Sequence, residues 1–541
     1  MSTDLVFVNA EVITMERGRP HAEAVAVAGG RIVAVGATDS MRALANGAQV
    51  VDLKGRTLLP GFVEAHGHPT LEIMTVLPPT VDIRPFFVHD HDEVVAKIKE
   101  TLAALPPGTL QAFYGYDPVL CPGAHKLERG ELDAIAPDHP IVVLNNSGHA
   151  GYANTRMLAA AGINRDTPDP VGSQYERDSA GEPTGVALET AALIALTKPY
   201  FERVMAESSM PDLLRREFEM YARAGVTTAS DMAFDRQSRP LFASYSGTQG
   251  ALTRIVTYEK SDGGLKSDVS PGWGDDMFRQ AGIKLWADGS PWIGNIATTF
   301  PYLCTGMTEA MGLKCGHIGH ANYTPEQIHE VCEAYFPSGW QLAIHVHGDA
   351  IADSVLDAYD DVLSGHPRPD HRLRMEHCGA LRADQYERAG RLGITCSLFP
   401  AHIYYFGDAL ADGLFGEAVA ANWVSARSAL DAGIKISLHN DAPVTPESPL
   451  LNMQTAVTRR ARGSGRVLGP EHRITPLEAL RAQTIDAAWQ LFMEDRVGSI
   501  TPGKFADLVV LDGNPLATDP ERLSELNVVE TYLGGRQVHQ A

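Results

Sequence analysis

Cysteine is scarce in this chain, with six in 541 residues, at positions 121, 304, 315, 332, 378 and 396. None stands in a Cys-x-x-Cys spacing, which excludes a zinc ribbon and argues against a disulfide framework. Reduced thiols in a cytoplasmic protein are the simplest expectation. Positive charge is short as well: Lys+Arg 45 against Asp+Glu 67 gives a formal charge of −22. Neither nucleic acid nor a membrane is therefore expected as a partner. No stretch approaches about 18 consecutive apolar residues, and residues 1–11 lack the basic-then-apolar pattern of a secretion signal. Low-complexity segments and short-period repeats are missing too. The length then calls for two units, or for one barrel with additions.

A helix-like segment, a glycine and an apolar run recur in that order at Gly225, Gly282, Gly339, Gly393 and Gly433. Glycine suits the left-handed residue just past a helix end, so each copy reads as a junction from helix to buried strand. One such helix follows Thr324 as N-cap, Pro325 at the first position and Gln327 at the capping-box position. It carries Ile328, Val331, Cys332 and Tyr335 on one stripe, with His329 off it. Strand candidates lie near 58–65, 226–231, 252–258, 283–288, 341–346, 372–377, 394–399 and 434–439. Eight strands alternating with helices predict an α/β fold of the (β/α)8 TIM barrel type, with its chemistry at the C-terminal strand ends. Between the first two candidates lie roughly 150 residues, far beyond an ordinary βα loop, so a long insertion follows barrel strand 1 and could cover the site. Short strands at both chain ends, over 5–15, 24–36, 506–512 and 528–538, read as one small β unit.

The strand candidates end in residues that bind metals. The first runs into His66-Gly67-His68, where alternate side chains on one face let two imidazoles converge on one cation. In a chain with twenty histidines that spacing also arises by chance. Later runs reach Lys284, His345, His377 and Asp441. Lys284 lies nearer the start of its run than the others, although Lys284, Trp286 and Asp288 share one face.

This ordered set, with Gly61-Phe62-Val63-Glu64-Ala65-His66-Gly67-His68, the Lys284 to Ser290 run, His345-Val346-His347-Gly348-Asp349-Ala350 and Gly503-Lys504-Phe505-Ala506-Asp507, resembles the amidohydrolase superfamily. Within it the chain is similar to the amidohydrolase 3 group that includes N-substituted formamide deformylase. The resemblance spans essentially the whole chain. It implies a metal-bearing barrel at 58–485, with an insertion at about 70–210, and a β-sandwich built from 1–57 and 486–541. It makes His66, His68, His345, His377 and Asp441 ligands of one or two divalent ions, with zinc the expected metal, and makes Lys284 a candidate for carboxylation. An ordinary ammonium at Lys284, binding a substrate carboxylate or reaching the surface, is the other reading. Two departures stand out: Glu64 replaces a common Asp, and His439-Asn440-Asp441-Ala442-Pro443 replaces the commoner Gly-Ser-Asp-x-Pro.

The implied function is metal-dependent hydrolysis of a C–N amide-type bond in a small molecule, an N-substituted formamide or related amide. A metal lowers the pKa of water toward about 7 and polarises the scissile carbonyl, and Asp441 would pass the proton to the leaving amine. An ester, lactone or cyclic amide hydrolase, a deaminase, or a non-catalytic binding protein of the same fold are the alternatives. His149, in a polar loop of the insertion, is assigned a substrate or carbonyl contact, whereas Asn154 reads as a helix cap. His347 and Asp288 read as partners that orient imidazoles or touch substrate. His402 and Tyr404 follow strand seven and could line the pocket, or simply pack there. Cys378 reads as a small buried residue. A homodimer is expected by general frequency alone.

Overall fold

The computed structural model describes residues 3–261 and 266–541. Its central sheet has eight strands in chain order: β1 Phe62–Glu64, β2 Val226–Phe234, β3 Arg254–Lys260, β4 Phe278–Trp286, β5 Gln341–Val346, β6 Arg374–His377, β7 Thr395–Leu398 and β8 Ile436–Leu438. Each pairs in parallel with the next, from β1 to β8. The strands are buried on both faces, which is why they read as continuous apolar runs rather than as alternating ones. Together they form a TIM barrel.

A side chain joins the last strand to the first. The Glu64 carboxylate accepts the Asn440 backbone N–H at 3.2 and 3.3 Å and its side-chain amide at 2.7 Å. The backbone N–H of His68 donates to Ala442 O at 3.0 Å just above. The glutamate that departs from the family pattern thus spans the seam.

Four of the five glycine junctions have the expected geometry, with φ of +80° at Gly225, +94° at Gly339, +74° at Gly393 and +78° at Gly433. The fifth is corrected. Gly282 lies inside β4, and among the described residues no helix lies between β3 and β4. It is glycine because the Tyr258 ring of β3 occupies the space a Cβ would take, with Gln341 O 2.8 Å from that point. With β4 starting at Phe278, Lys284 moves to the C-terminal part of its strand, level with the other candidates. The first strand candidate is also corrected: Thr57–Pro60 is a sandwich strand, and the barrel begins only after Gly61, which packs against Thr227. The helix Pro325–Tyr335 has the Thr324–Gln327 capping box and buries Ile328, Val331, Cys332 and Tyr335.

The expectation of six reduced thiols fails at one pair. Cys304 and Cys315 form a disulfide, their Cα atoms 5.0 Å apart. The short capped helix Gly306–Ala310 and a left-handed turn at Gly312 fold the chain back between them. The other four cysteines are buried free thiols. No helix among the described residues is long and apolar enough to cross a membrane.

Residues 81–188 contribute a second, six-stranded sheet ordered 174–177, 183–188, 150–153, 141–145, 111–116 and 81–82. With its helices it forms a lobe over the mouth of β1 and β2. Asn154 caps the helix Thr155–Ala161 by accepting the Met157 N–H. It also accepts the Ile141 N–H and donates to Ala136 O and His139 O, so it is fully used as structure.

Both chain ends build a pair of sheets below the barrel. One is formed by 5–8, 24–28, 31–36 and 49–52; the other pairs the N-terminal strand 57–60 antiparallel with 508–511. The helix Ile485–Gln490 still serves the barrel, since the Gln490 amide donates to Thr395 Oγ1 and Cys396 O at the base of β7. The chain joins the sandwich from Ile500, which is buried in the sandwich core and whose N–H donates to Thr14 O. The Gly503–Asp507 motif docks the sandwich to the barrel: Asp507 pairs with Arg254 at the start of β3, at 2.6 and 3.0 Å, both side chains being buried. Phe505 lies against the same guanidinium, 3.8 Å from ring centre to Cζ. Removing one member of a buried pair strands the other charge. Asp507→Ala is expected to destabilise the protein by about 3–5 kcal/mol in denaturant unfolding; a loss under about 1 kcal/mol would mean that the pair is not what joins the two bodies.

Candidate active site

The side chains that the sequence scatters over 375 positions between 66 and 441 meet at the C-terminal ends of the strands. Asp441 Oδ1 lies 3.4 Å from His66 Nε2 and 3.2 Å from His68 Nε2. Lys284 Nζ is 3.4 Å from His66 Nε2. His345, His347 and His377 form an adjoining group, and ligand atoms within each group lie within 4.8 Å of one another.

The imidazoles are oriented from behind. His66 Nδ1 lies 2.5 Å from Glu376 Oε2, and Arg374 pairs with the same carboxylate at 2.7 and 2.9 Å. A carboxylate there accepts the Nδ1 proton and leaves the Nε2 lone pair facing Asp441 and Lys284. His345 spends Nε2 on Gly289 O at 2.9 Å, which frees Nδ1. Two residues at the strand ends are held at positive φ, His377 at +69° and Asp441 at +55°. Such backbone costs of order 1–3 kcal/mol each and marks sites where direction matters more than stability.

Burial governs the charges. It lowers the pKa of Lys284 to about 8, so a neutral amine is accessible near neutrality. It also drives His66, His345 and His377 well below the ordinary imidazole value. Asp441 goes the other way: burial opposes its charge, but the hydrogen bond and charge of His68 hold its pKa below the usual carboxylate value. Neutral imidazoles at His66, His345 and His377 beside the ionised Asp441 carboxylate form the donor set that a divalent cation needs. His68 Nδ1 and His347 Nδ1 are buried without a hydrogen-bond partner. A cation would complete part of that unmet demand, so the residues present fit one.

Not every expected residue faces the cavity beside this cluster. His149 does, its Nδ1 2.8 Å from Glu189 Oε2 and its ring 5.0 Å from that of His345. His347 is buried and stacks on His377 at 4.9 Å. Asp288 accepts the backbone N–H groups of His347, Gly348 and Ala297, and so shapes the β5 loop rather than reaching substrate. His402 turns Nδ1 toward the Trp423 indole N–H at 3.2 Å, behind His347. Tyr404 packs edge-on against Tyr405. Neither His402 nor Tyr404 lines the cavity.

One buried residue was flagged in the sequence only as a departure. His439 Nε2 lies 3.1 Å from His377 Nδ1, and its ring stacks on His66 at 4.6 Å. Ser397 Oγ meets its other nitrogen at 2.9 Å. The signal for it was the sequence itself, since a second histidine stands two residues before Asp441, just past the end of β8. Glu189 was missed because its role depends on a fold in the insertion that has no sequence motif.

The cavity is about 590 Å³ and runs from His68, His345, His377 and Asp441 outward between the lobe and the barrel. Its outer wall is apolar: Leu193, Ile194, Phe201 and Met205 come from the lobe helix Thr190–Glu207, and Leu241, Phe242 and Trp286 from the barrel side. Against known proteins, the amidohydrolase family model matches residues 49–539. The chain belongs to the amidohydrolase family. It is a hydrolase of carbon–nitrogen bonds other than peptide bonds, in a metal-dependent family. N-substituted formamide deformylase of Arthrobacter pascens is 32% identical over 98% of the chain and 97% of the relative. Protein LONG AFTER FAR-RED 3 of Arabidopsis thaliana is 28% identical over 99% of the chain and 91% of its own length. An uncharacterized metal-dependent hydrolase of Pyrococcus horikoshii OT3 shares the fold, with a TM-score of 0.72 at 22% identity, covering 95% of this chain and 99% of that one.

For this amidohydrolase the His149–Glu189 pair gives a test independent of substrate. Burial alone would lower the His149 pKa, but the charge and hydrogen bond of Glu189 raise it above the ordinary value. Glu189→Gln removes that charge, so the His149 titration followed by NMR is expected to move to lower pH. A midpoint that stays in place would show that Glu189 does not set the charge of the imidazole.

Proposed function

We propose that the protein hydrolyses the amide bond of a small molecule whose nitrogen carries an extended apolar group, an N-substituted formamide being the leading example. The observation that carries this reading is the convergence of His66, His68 and Asp441 at one end of a cavity whose wall is largely apolar, with Lys198, Glu202, Asp235 and Lys260 also on its lining. Such a site leaves room for a small acyl group beside the cluster and for a larger, mainly apolar substituent along the wall. The similarity to the N-substituted formamide deformylase of Arthrobacter pascens supports that reading.

His66, His68, His345, His377 and Asp441 would hold one or two divalent ions, zinc being favoured by a set of imidazole nitrogens with carboxylate oxygen. When bound, such an ion polarises a carbonyl and makes hydroxide available at neutral pH. Lys284 is proposed as carboxylated, because its buried amine readily loses its proton and can then react with carbon dioxide. The remaining steps belong to the protein. Asp441, held ionised, accepts the proton of the attacking water and delivers it to the departing nitrogen. His149, fixed by Glu189 with its free edge on the cavity, donates to the carbonyl oxygen as negative charge develops there. Leu193, Phe201 and Phe242 bind the apolar substituent and keep water from it.

Incubation of the purified holoprotein with N-alkyl and N-benzyl formamides is expected to release formate and the amine. Asp441→Asn should lower kcat by about 10²–10⁴-fold, and removal of metal should abolish turnover until metal is restored. Turnover indifferent to chelation, or ammonia as the product, would refute the reading. Across an N-alkyl series, kcat/KM should rise about fourfold for each methylene buried, from about 0.8 kcal/mol per group, until the cavity is full. A flat series would remove the apolar wall from substrate recognition.

A further inference from the structure

Away from the barrel mouth, the lobe gathers a second set of metal-binding side chains. His91 opens the helix His91–Ala103, His125 sits in the loop after strand 111–116, and Glu131 lies in the helix Arg129–Ile135. Their ligand atoms lie within 4.8 Å of one another. His125 Nε2 is 3.0 Å from Glu131 Oε2, and His91 Nε2 is 3.6 Å from Glu131 Oε1. Two donors, each about 2.1 Å from one tetrahedral zinc ion, stand roughly 3.4 Å apart, so the observed pair brackets the spacing an ion would set.

The hydrogen bonds behind the rings fix which nitrogens are free. The buried Tyr116 hydroxyl donates to His125 O at 2.9 Å and accepts the His125 backbone N–H at 3.0 Å. With its one proton used, it can only accept from His91 Nδ1, 3.1 Å away. His91 therefore carries its proton on Nδ1 and presents the Nε2 lone pair to Glu131. His125 Nδ1 lies 3.4 Å from Gly123 O, a carbonyl that only accepts, and its Nε2 also turns to the carboxylate. Two lone pairs facing two carboxylate oxygens repel one another unless positive charge lies between them. One divalent ion satisfies both lone pairs and the carboxylate together.

We infer that His91, His125 and Glu131 form a second transition-metal site, of the zinc class, separate from the barrel mouth. A metal there ties the start of one lobe helix to the next helix and to the loop between them. All three residues are partly exposed, so the site loads from solvent and leaves a coordination position for water. The His149 loop leaves the neighbouring parallel strand 141–145 at the same edge of the sheet, but none of the three residues lines the cavity that His149 faces, which makes the site a staple for the lobe rather than part of the chemistry.

The test counts zinc per chain by mass spectrometry after equilibration against zinc-buffered solution, and needs no substrate. Wild type, His125→Ala and the near-isosteric Glu131→Gln are compared, each also on a His66→Ala background. Both lobe variants are expected to bind one ion fewer on either background, and to lose the rise in Tm that zinc gives the wild type through this site. Equal counts in wild type and both lobe variants would overturn the inference. So would a deficit that vanishes on the His66→Ala background, since the ion lost would then be the barrel's.

Discussion

The seam between the first and last barrel strands is the constraint from which the site follows. A barrel whose end strands are joined through a carboxylate depends on how far that carboxylate reaches, and Glu64 reaches both the backbone N–H and the side-chain amide of Asn440. The next residue is Asp441, and its positive φ turns its carboxylate back across the seam toward His66 and His68. One buried side chain on β1 thus fixes the distance between two halves of a ligand set that come from opposite ends of the barrel sequence. Burial pushes the pKa of Glu64 up, and does the same for Glu72, Glu217 and Glu447 around it. Burial thus shifts these acids toward the protonated form, whereas His68 holds Asp441 toward the ionised form. Neighbouring carboxyl groups driven apart in this way separate a structural acid cluster from one basic carboxylate at the mouth.

The barrel was legible because its strands are buried on both sides and five of the runs lead into or carry residues too polar to be there for packing, at His66, Lys284, His345, His377 and Asp441. His345 and His377 could be placed from the runs that precede them. Gly282 misled because a glycine inside a strand and a glycine after a helix look alike when the contact that demands it, here the Tyr258 ring, comes from a neighbouring strand. The same limit hid Glu189, whose partner His149 lies forty positions away in a lobe with no motif of its own. His402 and Tyr404 were placed by proximity to β7, yet the indole of Trp423 draws His402 away from the cavity. Cys304 and Cys315 pair through a local fold that spacing alone does not reveal.

Glu189 joins the chemistry of the site to its selectivity. It stands just before the helix Thr190–Glu207 at φ +68°, a strained conformation for a residue with a side chain. Its carboxylate holds His149, and the helix it opens presents Leu193, Ile194, Phe201 and Met205 to the cavity. A movement of that helix would shift His149, proposed to face the reacting carbonyl, and the apolar wall together. Substrate fit along the wall can therefore influence the position of His149, which is how binding energy from a remote substituent is turned into rate.

An apolar wall also sets how sharply substrates can be distinguished. A methylene gained or lost in such a pocket is worth only about 1–3 kcal/mol, whereas an unmet buried hydrogen bond excludes a wrong substrate by far more. In this protein the buried polar groups crowd the closed end, at His68, His149 and Asp441, and the outer cavity carries mainly hydrocarbon and aromatic surface. Under the proposed function, selection is then strict for the group that enters the polar end and graded for the substituent on nitrogen. Both parts of the chain share the two tasks: His149 of the lobe joins the barrel residues at the polar end, and Leu241, Phe242 and Trp286 of the barrel side join the lobe helix along the wall.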